Sequence, residues 1–349
     1  MPERLSSSTR GALCGLAAAA LFGLSAPLAK PLLASTAPLT LAGLLYLGGG
    51  LAVLLASALR RRSSEAPLQR ADIPRVGLLI LFGGIVGPVL MLLALQRASA
   101  SSVSLLLNLE GPFTLALAAL AFGEHVGWRG LAALLAVVAG AVILGMPTGP
   151  MHTPLLASAL VAGACLSWGL DNNLTRSLSL RDPVALVRTK TLGAGGCMLC
   201  VSLLSGQGWP GTRTTLLALL LGAASYGTSI LLDAYALRLL GAAREAAYFA
   251  TAPFLGALGA VVLLSERLEP TTLLAGGVMA LGVWLLLSER HGHAHTHQAV
   301  AHEHRHVHDA HHQHRHTEPV SEPHSHPHQH ASLTHDHPHV PDAHHHHRH

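Results

Sequence analysis

Eight residues inside or at the ends of long apolar stretches carry groups able to do chemistry. They are Lys30, Asn108, Glu110, Pro112, Trp168, Asp171, Arg176 and Asp233. An ionisable group placed in hydrocarbon costs about 2.5–3.5 kcal/mol on insertion scales, so each needs a partner or a function. Glu110 is the deepest of them. It stands two residues before Pro112, with Asn108 beside it. Proline has no N–H, so Pro112 leaves the carbonyl of Asn108 without its helical donor, which predicts a polar spot near the midplane. A carboxylate there can bind a cation or exchange a proton with it. The plainer alternative is a protonated glutamate hydrogen-bonded to a neighbouring helix.

Asp171, followed by Asn172 and Asn173, and Asp233 both lie near the inner ends of their stretches. Each can line a vestibule. Each can equally pair with the cation five residues on, Arg176 or Arg238. Lys30, Arg176, Arg188 and Lys190 sit close to the stretch ends, where snorkelling to the headgroups explains them cheaply. Trp168 reads first as a packing or interface residue and second as a substrate platform. Cys197 and Cys200 share one helix face and can clip a soft metal, although packing is the simpler reading. The other cysteines, Cys14 and Cys165, also lie in apolar runs, so no disulfide framework is implied.

A second chemistry lies at the far end of the chain. The sequence has 349 residues and 26 histidines, and only His125 and His152 precede residue 291. The rest alternate with small and polar residues. His291, His293, His295 and His297 form one run, and His302, His304, His306 and His308 another. His311, His312, His314 and His316 follow, then His324, His326, His328 and His330. Neutral imidazole is a ligand for nickel, cobalt and zinc, so such a chain is expected to bind several divalent ions without a unique site. The segment 291–349 has almost nothing with which to build a core and is expected to be disordered.

These groups must be positioned by something, and the composition says what. Half the residues are apolar and 11% are charged, against about 25% charged in an ordinary globular protein. A helix needs about 20 apolar residues to cross a bilayer. Ten stretches qualify: 11–33, 38–59, 76–95, 101–122, 127–145, 154–175, 184–205, 214–236, 246–264 and 270–287. The first is longer than a signal peptide's apolar region and leads straight into another span. With the N-terminus inside, inner segments collect fifteen Lys and Arg and outer segments four. That bias predicts a multi-pass protein of the cell's inner membrane with both termini cytoplasmic. The basic residues sit between apolar runs and form no stripe, so nucleic acid is not an expected partner. The expected partners are the bilayer, a small molecule or metal ion, and a second copy in a homodimer.

The chain also repeats itself. Phe22-Gly23 is followed by Lys30 seven residues after the glycine, and Trp168-Gly169 by Arg176 at the same spacing. Arg97 precedes Pro112-Phe113 by fifteen, and Arg238 precedes Pro253-Phe254 by fifteen. Glu124 and Glu266 follow those prolines by twelve and thirteen, and Gly140 and Gly282 lie sixteen beyond. The two glutamates fall at opposite membrane faces and read as capping or hinge positions. The halves are 11–145 and 154–287. Five spans per half is odd, so the second half is inverted, a plan recurrent in secondary transporters.

The stretches PFTLALAALAFGEHVGWRG (112–130) and PFLGALGAVVLLSERLEP (253–270), with the aromatic-Gly opening of each half, resemble the EamA type of the drug/metabolite transporter (DMT) superfamily. The resemblance covers 11–287. At helix 2, where many relatives have an Arg-aromatic pair, this chain reads Leu45-Tyr46. The resemblance implies export or exchange of small solutes without ATP, by a protein that is not an enzyme and needs no cofactor for transport. No Walker-type phosphate loop is present. The expected fold is all-α and integral to the membrane: ten transmembrane helices as two inverted five-helix repeats, then a disordered His-rich tail. The leading expectation for substrate is a divalent transition metal (nickel, cobalt or zinc), on the tail alone. The alternative is an amino acid or other metabolite or drug, with a tail that only senses or buffers metal.

Overall fold

The structure is a computed structural model. It describes residues 7–59, 66–122, 127–146, 153–178, 181–240 and 242–288, and four strands in the tail. Ten helices are long and apolar enough to cross a membrane. In chain order helices 1 to 5 are Thr9–Leu32, Pro38–Ala58, Arg70–Leu95, Ala100–Leu120 and Trp128–Gly145. Helices 6 to 10 are Leu155–Arg176, Pro183–Leu204, Thr212–Leu237, Arg244–Leu264 and Pro270–Leu287. Their starts are legible in residue chemistry. Pro38, Pro183 and Pro270 stand in first turns, where the missing N–H costs nothing. Asp182 accepts from the N–H groups of Val184 and Ala185, and Ser99 from that of Ser102. Helix 3 begins six residues earlier than its apolar run, because Gln69 and Asp72 form a reciprocal capping box ahead of it.

The packing partners expose the repeat. Helix 1 lies against helices 8 and 9, and helix 6 against helices 3 and 4. Helix 2 packs on helix 7, helix 4 on helix 9, and helix 5 on helix 10. Exchanging the first five helices for the second five returns the same set of pairs. The fold is therefore two inverted five-helix halves, interleaved about a pseudo-two-fold axis. Both the start of helix 1 and the end of helix 10 lie on one face, called here the terminal face.

Four helices are interrupted, at corresponding places in the two halves. Helices 3 and 8 each carry a π-helical segment, Ile80–Val86 and Ala223–Thr228. Helix 4 tightens into a 3₁₀ turn at Leu107–Leu109, just ahead of Pro112. Helix 9 stops at Phe249 and resumes at Ala252, just ahead of Pro253. Proline removes a donor and the ladder must adjust. Such discontinuities are tolerated at membrane depth only where protein or a cavity satisfies the freed groups.

The paired motifs now have a physical meaning. A side chain on Gly23 would strike the carbonyl of Ala252, next to Pro253. One on Gly169 would sit 3.2 Å from the amide nitrogen of Thr114, two residues beyond Pro112. Each aromatic-Gly pair thus lets the first helix of one half touch the broken helix of the other, backbone to backbone.

On the terminal face Arg181 pairs with Asp72 at 2.9 Å, and the Asp182 N–H donates to the Ala66 carbonyl. This ties the loop after helix 2 to the loop after helix 6. In the tail, β1 (His291–His297) pairs antiparallel with β4 (Leu333–His339), and β2 (Ala301–His306) with β3 (His324–Gln329). The sequence led to an expectation of disorder here; the described segments are extended and paired. An isolated two-stranded pair is at best marginal in water, so these ladders add no folded core.

Candidate functional site

Where helices 2, 3, 6 and 7 meet, the π segment of helix 3 leaves the carbonyl of Gly83 open to outside donors. Two take it: the Tyr46 hydroxyl at 2.8 Å and the Trp168 indole Nε1–H at 3.2 Å. Both side chains are buried. A Cβ on Gly83 would occupy the space of the Asp171 carboxylate, so glycine there lets an acid lie against the backbone. Asp171 is buried and forms a short ion pair with Lys190 through Oδ2. Its Oδ1 is buried too and has no hydrogen-bond partner.

Lys190 is the main correction to the sequence reading, which placed it at the headgroups. It stands seven residues inside helix 7, about 10 Å along the axis at 1.5 Å per residue. Asp171 stands five residues from the end of helix 6, about 7 Å in. Lys190, not Arg176, is therefore the partner of Asp171. Arg176 ends helix 6.

On helix 4, Glu110 directly follows the 3₁₀ turn. Its Oε1 accepts from Asn172 Nδ2 at 2.9 Å. Asn172 also reaches the Thr114 hydroxyl at 3.3 Å, and that hydroxyl donates to the Glu110 carbonyl. Asn173 donates to the carbonyls of Thr114 and Gly169. Asn108 faces its own helix, donating to the Leu105 carbonyl at 2.8 Å. The thiol of Cys165 sits 3.7 and 3.8 Å from the carbonyls of Leu106 and Leu107 at the break. Beside Pro112, Glu110 and Thr114 thus take hydrogen bonds from Asn172 and Asn173 of helix 6.

Aromatic rings continue from this cluster into the other half. Tyr46 and Tyr226 lie 5.1 Å apart by centroid, Phe22 and Tyr226 6.0 Å, and Phe22 and Phe249 5.4 Å. Phe22 meets the π segment of helix 8 as Trp168 meets that of helix 3.

The remaining candidates lie elsewhere. Asp233, near the end of helix 8, hydrogen-bonds the carboxyl of Glu245 at the start of helix 9, which needs one proton between them. The side chain of Arg238, its other candidate partner, lies outside the described residues, as does Glu124. Cys197 and Cys200 face outward, where lipid would lie. Of the tail histidines, His308, His311, His312, His314, His316, His330, His344, His345, His346, His347 and His349 lie outside the described residues. Among the described residues of the membrane part no three His, Cys, Asp or Glu come together as a metal-holding group.

Lys30 belongs to the face opposite the terminal one. It donates to the Ala98 carbonyl at 2.6 Å and lies 3.5 Å from Glu266. Glu266 in turn accepts from the amides of Ala100 (2.8 Å) and Ser101 (2.9 Å) and from the Ser101 hydroxyl (2.8 Å). It caps helix 4, as the sequence suggested, though from helix 9's end and across the two halves. Burial alone would raise its carboxyl. The donors from Ser101 and Ala100, with Lys30, outweigh that and hold it below the usual glutamate value. The stabilisation is therefore full above the unfolded value of about 4.3. It fades as pH falls through the lower folded value. Glu266→Gln is expected to cost about 1 kcal/mol at pH 7, the scale of a lost cap. The difference should narrow below about pH 4. Thermal unfolding of both proteins at pH 7 and pH 3.5 checks this, and a gap independent of pH would refute it.

Ten helices long and apolar enough to cross a membrane, in two inverted halves with four of them interrupted at corresponding places, define a membrane-transporter architecture. The EamA-like transporter family model matches residues 9–146 and 155–288, and the chain belongs to that family. It is 30% identical over 284 residues to a protein of Methanothermobacter thermautotrophicus named as an uncharacterized transporter, covering 76% of this chain and 82% of that one. A solved crystal structure shares the fold with a TM-score of 0.60 at 19% identity, covering 80% of this chain and 98% of the other.

What sequence reasoning missed was Tyr46, Tyr226, Gly83 and the role of Lys190. A signal existed for two of them. Gly83-Gly84 interrupts an apolar run in the third span of its half, much as Gly222 and Gly227 do in the other. Lys190 lies too far inside its span for a snorkelling residue.

Proposed function

We propose that the chain carries a small polar organic solute across the membrane by alternating access, in the export direction, and binds it at Asp171, Lys190 and Glu110. The observation that supports this is the free, buried Oδ1 of Asp171 beside a cation that already neutralises Oδ2. A buried acceptor without a partner costs about 1–3 kcal/mol, which a solute N–H or O–H can relieve. An ammonium has three donors, so Lys190 can hold a solute carboxylate or carbonyl while keeping Asp171. A donor and an acceptor side by side suit a zwitterion or amide, such as an amino acid. Glu110, bonded to Asn172 across the helix 4 break, is the group proposed to exchange a proton as the helices rock.

A second reading keeps nickel, cobalt or zinc as substrate, favoured by the 24 histidines after residue 290. In the membrane part it has less support. The deep acid pairs with a lysine, and the described residues offer no cluster of ligands.

Counterflow into proteoliposomes separates the two. The panel is labelled amino acids and the three metal ions, tested with the full chain and with a chain ending at Arg290. The expected result is exchange of one organic solute at similar rates by both chains. Exchange of a metal and of no organic solute would overturn it.

A further inference from the structure

The two tail ladders share one centre in the sequence. Midway between paired residues falls at position 315 in both. In the outer ladder His291 is opposite His339, His293 opposite His337 and His295 opposite His335. In the inner one His302 is opposite His328, His304 opposite His326 and His306 opposite His324. All six matches are histidine to histidine. The sequence carries the same symmetry without coordinates. Read upward from 291 and downward from 339 it runs H-x-H-x-H-T both ways. Upward from 302 and downward from 328 it runs H-x-H-x-H both ways.

Opposite residues in any antiparallel pair have Cβ atoms about 4.5–5.5 Å apart. That suits two imidazoles sharing one ion at about 2.0–2.1 Å. Residues two apart on one strand share a face, so neighbouring matches can add a third and fourth ligand. A ladder with no apolar face is marginal in water, and metal binding supplies ordering free energy to segments that lack it.

We propose that the six cross-strand histidine matches are sites for a divalent late transition metal, nickel(II) or zinc(II), and that loading draws the tail into the two ladders. The proposal rests on reading the tail as metal-binding. It is independent of what the membrane part carries. A one-residue slip destroys every match, whereas density of histidine alone is indifferent to register.

The test uses the full chain purified in detergent, with nickel(II) or zinc(II) as probe and a coloured chelator in competition. One variant replaces the six matched histidines of β1 and β2 (His291, His293, His295, His302, His304 and His306) with Gln. The other replaces six outside the strands (His308, His311, His312, His314, His316 and His330) with Gln. Each retains eighteen tail histidines. The first is expected to weaken the tight sites about a hundredfold, the gain lost when two tethered ligands no longer meet. The second should hold metal nearly as the unaltered chain does. Metal should also slow tryptic cleavage after Arg305, within β2, in the unaltered chain and not in the first variant. Equal weakening in both variants, or no protection at Arg305, would overturn the ladders. No tight metal in the unaltered chain would overturn the tail reading itself.

Discussion

Lys190→Gln and Asp171→Asn are each expected to remove transport and to destabilise the bundle, while the double variant recovers folding and not transport. Breaking a buried ion pair by removing one partner costs about 3–5 kcal/mol, because the other charge is left uncompensated. Asp171 is 7% exposed at its side chain and Lys190 19%, so solvent screens the pair little. Among the described residues no other cation pairs with Asp171, whose second oxygen has no hydrogen-bond partner. Removing both charges removes that penalty, and the two near-isosteric amides can still hydrogen-bond each other. The double variant should therefore melt near the unaltered protein in detergent. It would still lack the donor and the acceptor proposed to hold the solute. Transport should fall at least about a hundredfold in all three, the loss of about 3 kcal/mol of binding at 1.4 kcal/mol per decade. A lysine variant that melts and transports normally would remove the pair from both stability and function. A double variant that transports would leave it a purely structural pair.

The second large effect concerns a helix crossing. Gly222→Ala is expected to cost at least about 3 kcal/mol, the upper end for overpacking. A Cβ at Gly222 would occupy the position of the Leu45 carbonyl, and one at Gly48 would meet the backbone of Leu219. Helices 2 and 8 therefore touch through main chain, which cannot turn aside as a flexible side chain can. A side chain added at Gly196 or Gly277 would have nothing within 4 Å of its Cβ. Alanine there should be neutral or stabilising by up to about 1 kcal/mol from helix propensity. Melting temperature and monodisperse yield of the three variants decide it. Equal behaviour of Gly222→Ala and Gly196→Ala would sink the crossing argument.

The same contrast runs through the candidate site. Glu110 with Pro112 was visible in the sequence, because a proline two residues after an acid in an apolar run is a local event. Its partner Asn172 was visible only as a neighbour of Asp171, since helix 6 meets helix 4 across the repeat boundary. Lys190 and Asp171 are nineteen residues apart on separate helices. Each alone is equally consistent with snorkelling or an interface pair. Tyr46 stood out only as the aromatic of the helix 2 pair, and Tyr226 gave no signal, because tyrosine in an apolar run is ordinary until its hydroxyl has an acceptor. That acceptor, the Gly83 carbonyl, exists only because helix 3 takes a π turn.

Hydrophobic length and repeat spacing alone determined ten helices, five per half, inverted, with a histidine-rich segment beyond them. Those properties follow from bilayer thickness and from parity, and neither needs to know which helix touches which. Pairing was decided by the tertiary structure. Helix 1 closes on helices 8 and 9 of the other half, and helix 6 on helices 3 and 4. These contacts bring Asp171 to Lys190, Trp168 and Tyr46 to Gly83, and Glu266 to the start of helix 4. In lipid every span is apolar on the outside, so hydrophobicity does not choose partners. Close backbone approach at glycines and satisfaction of buried polar groups do, and both depend on three-dimensional geometry.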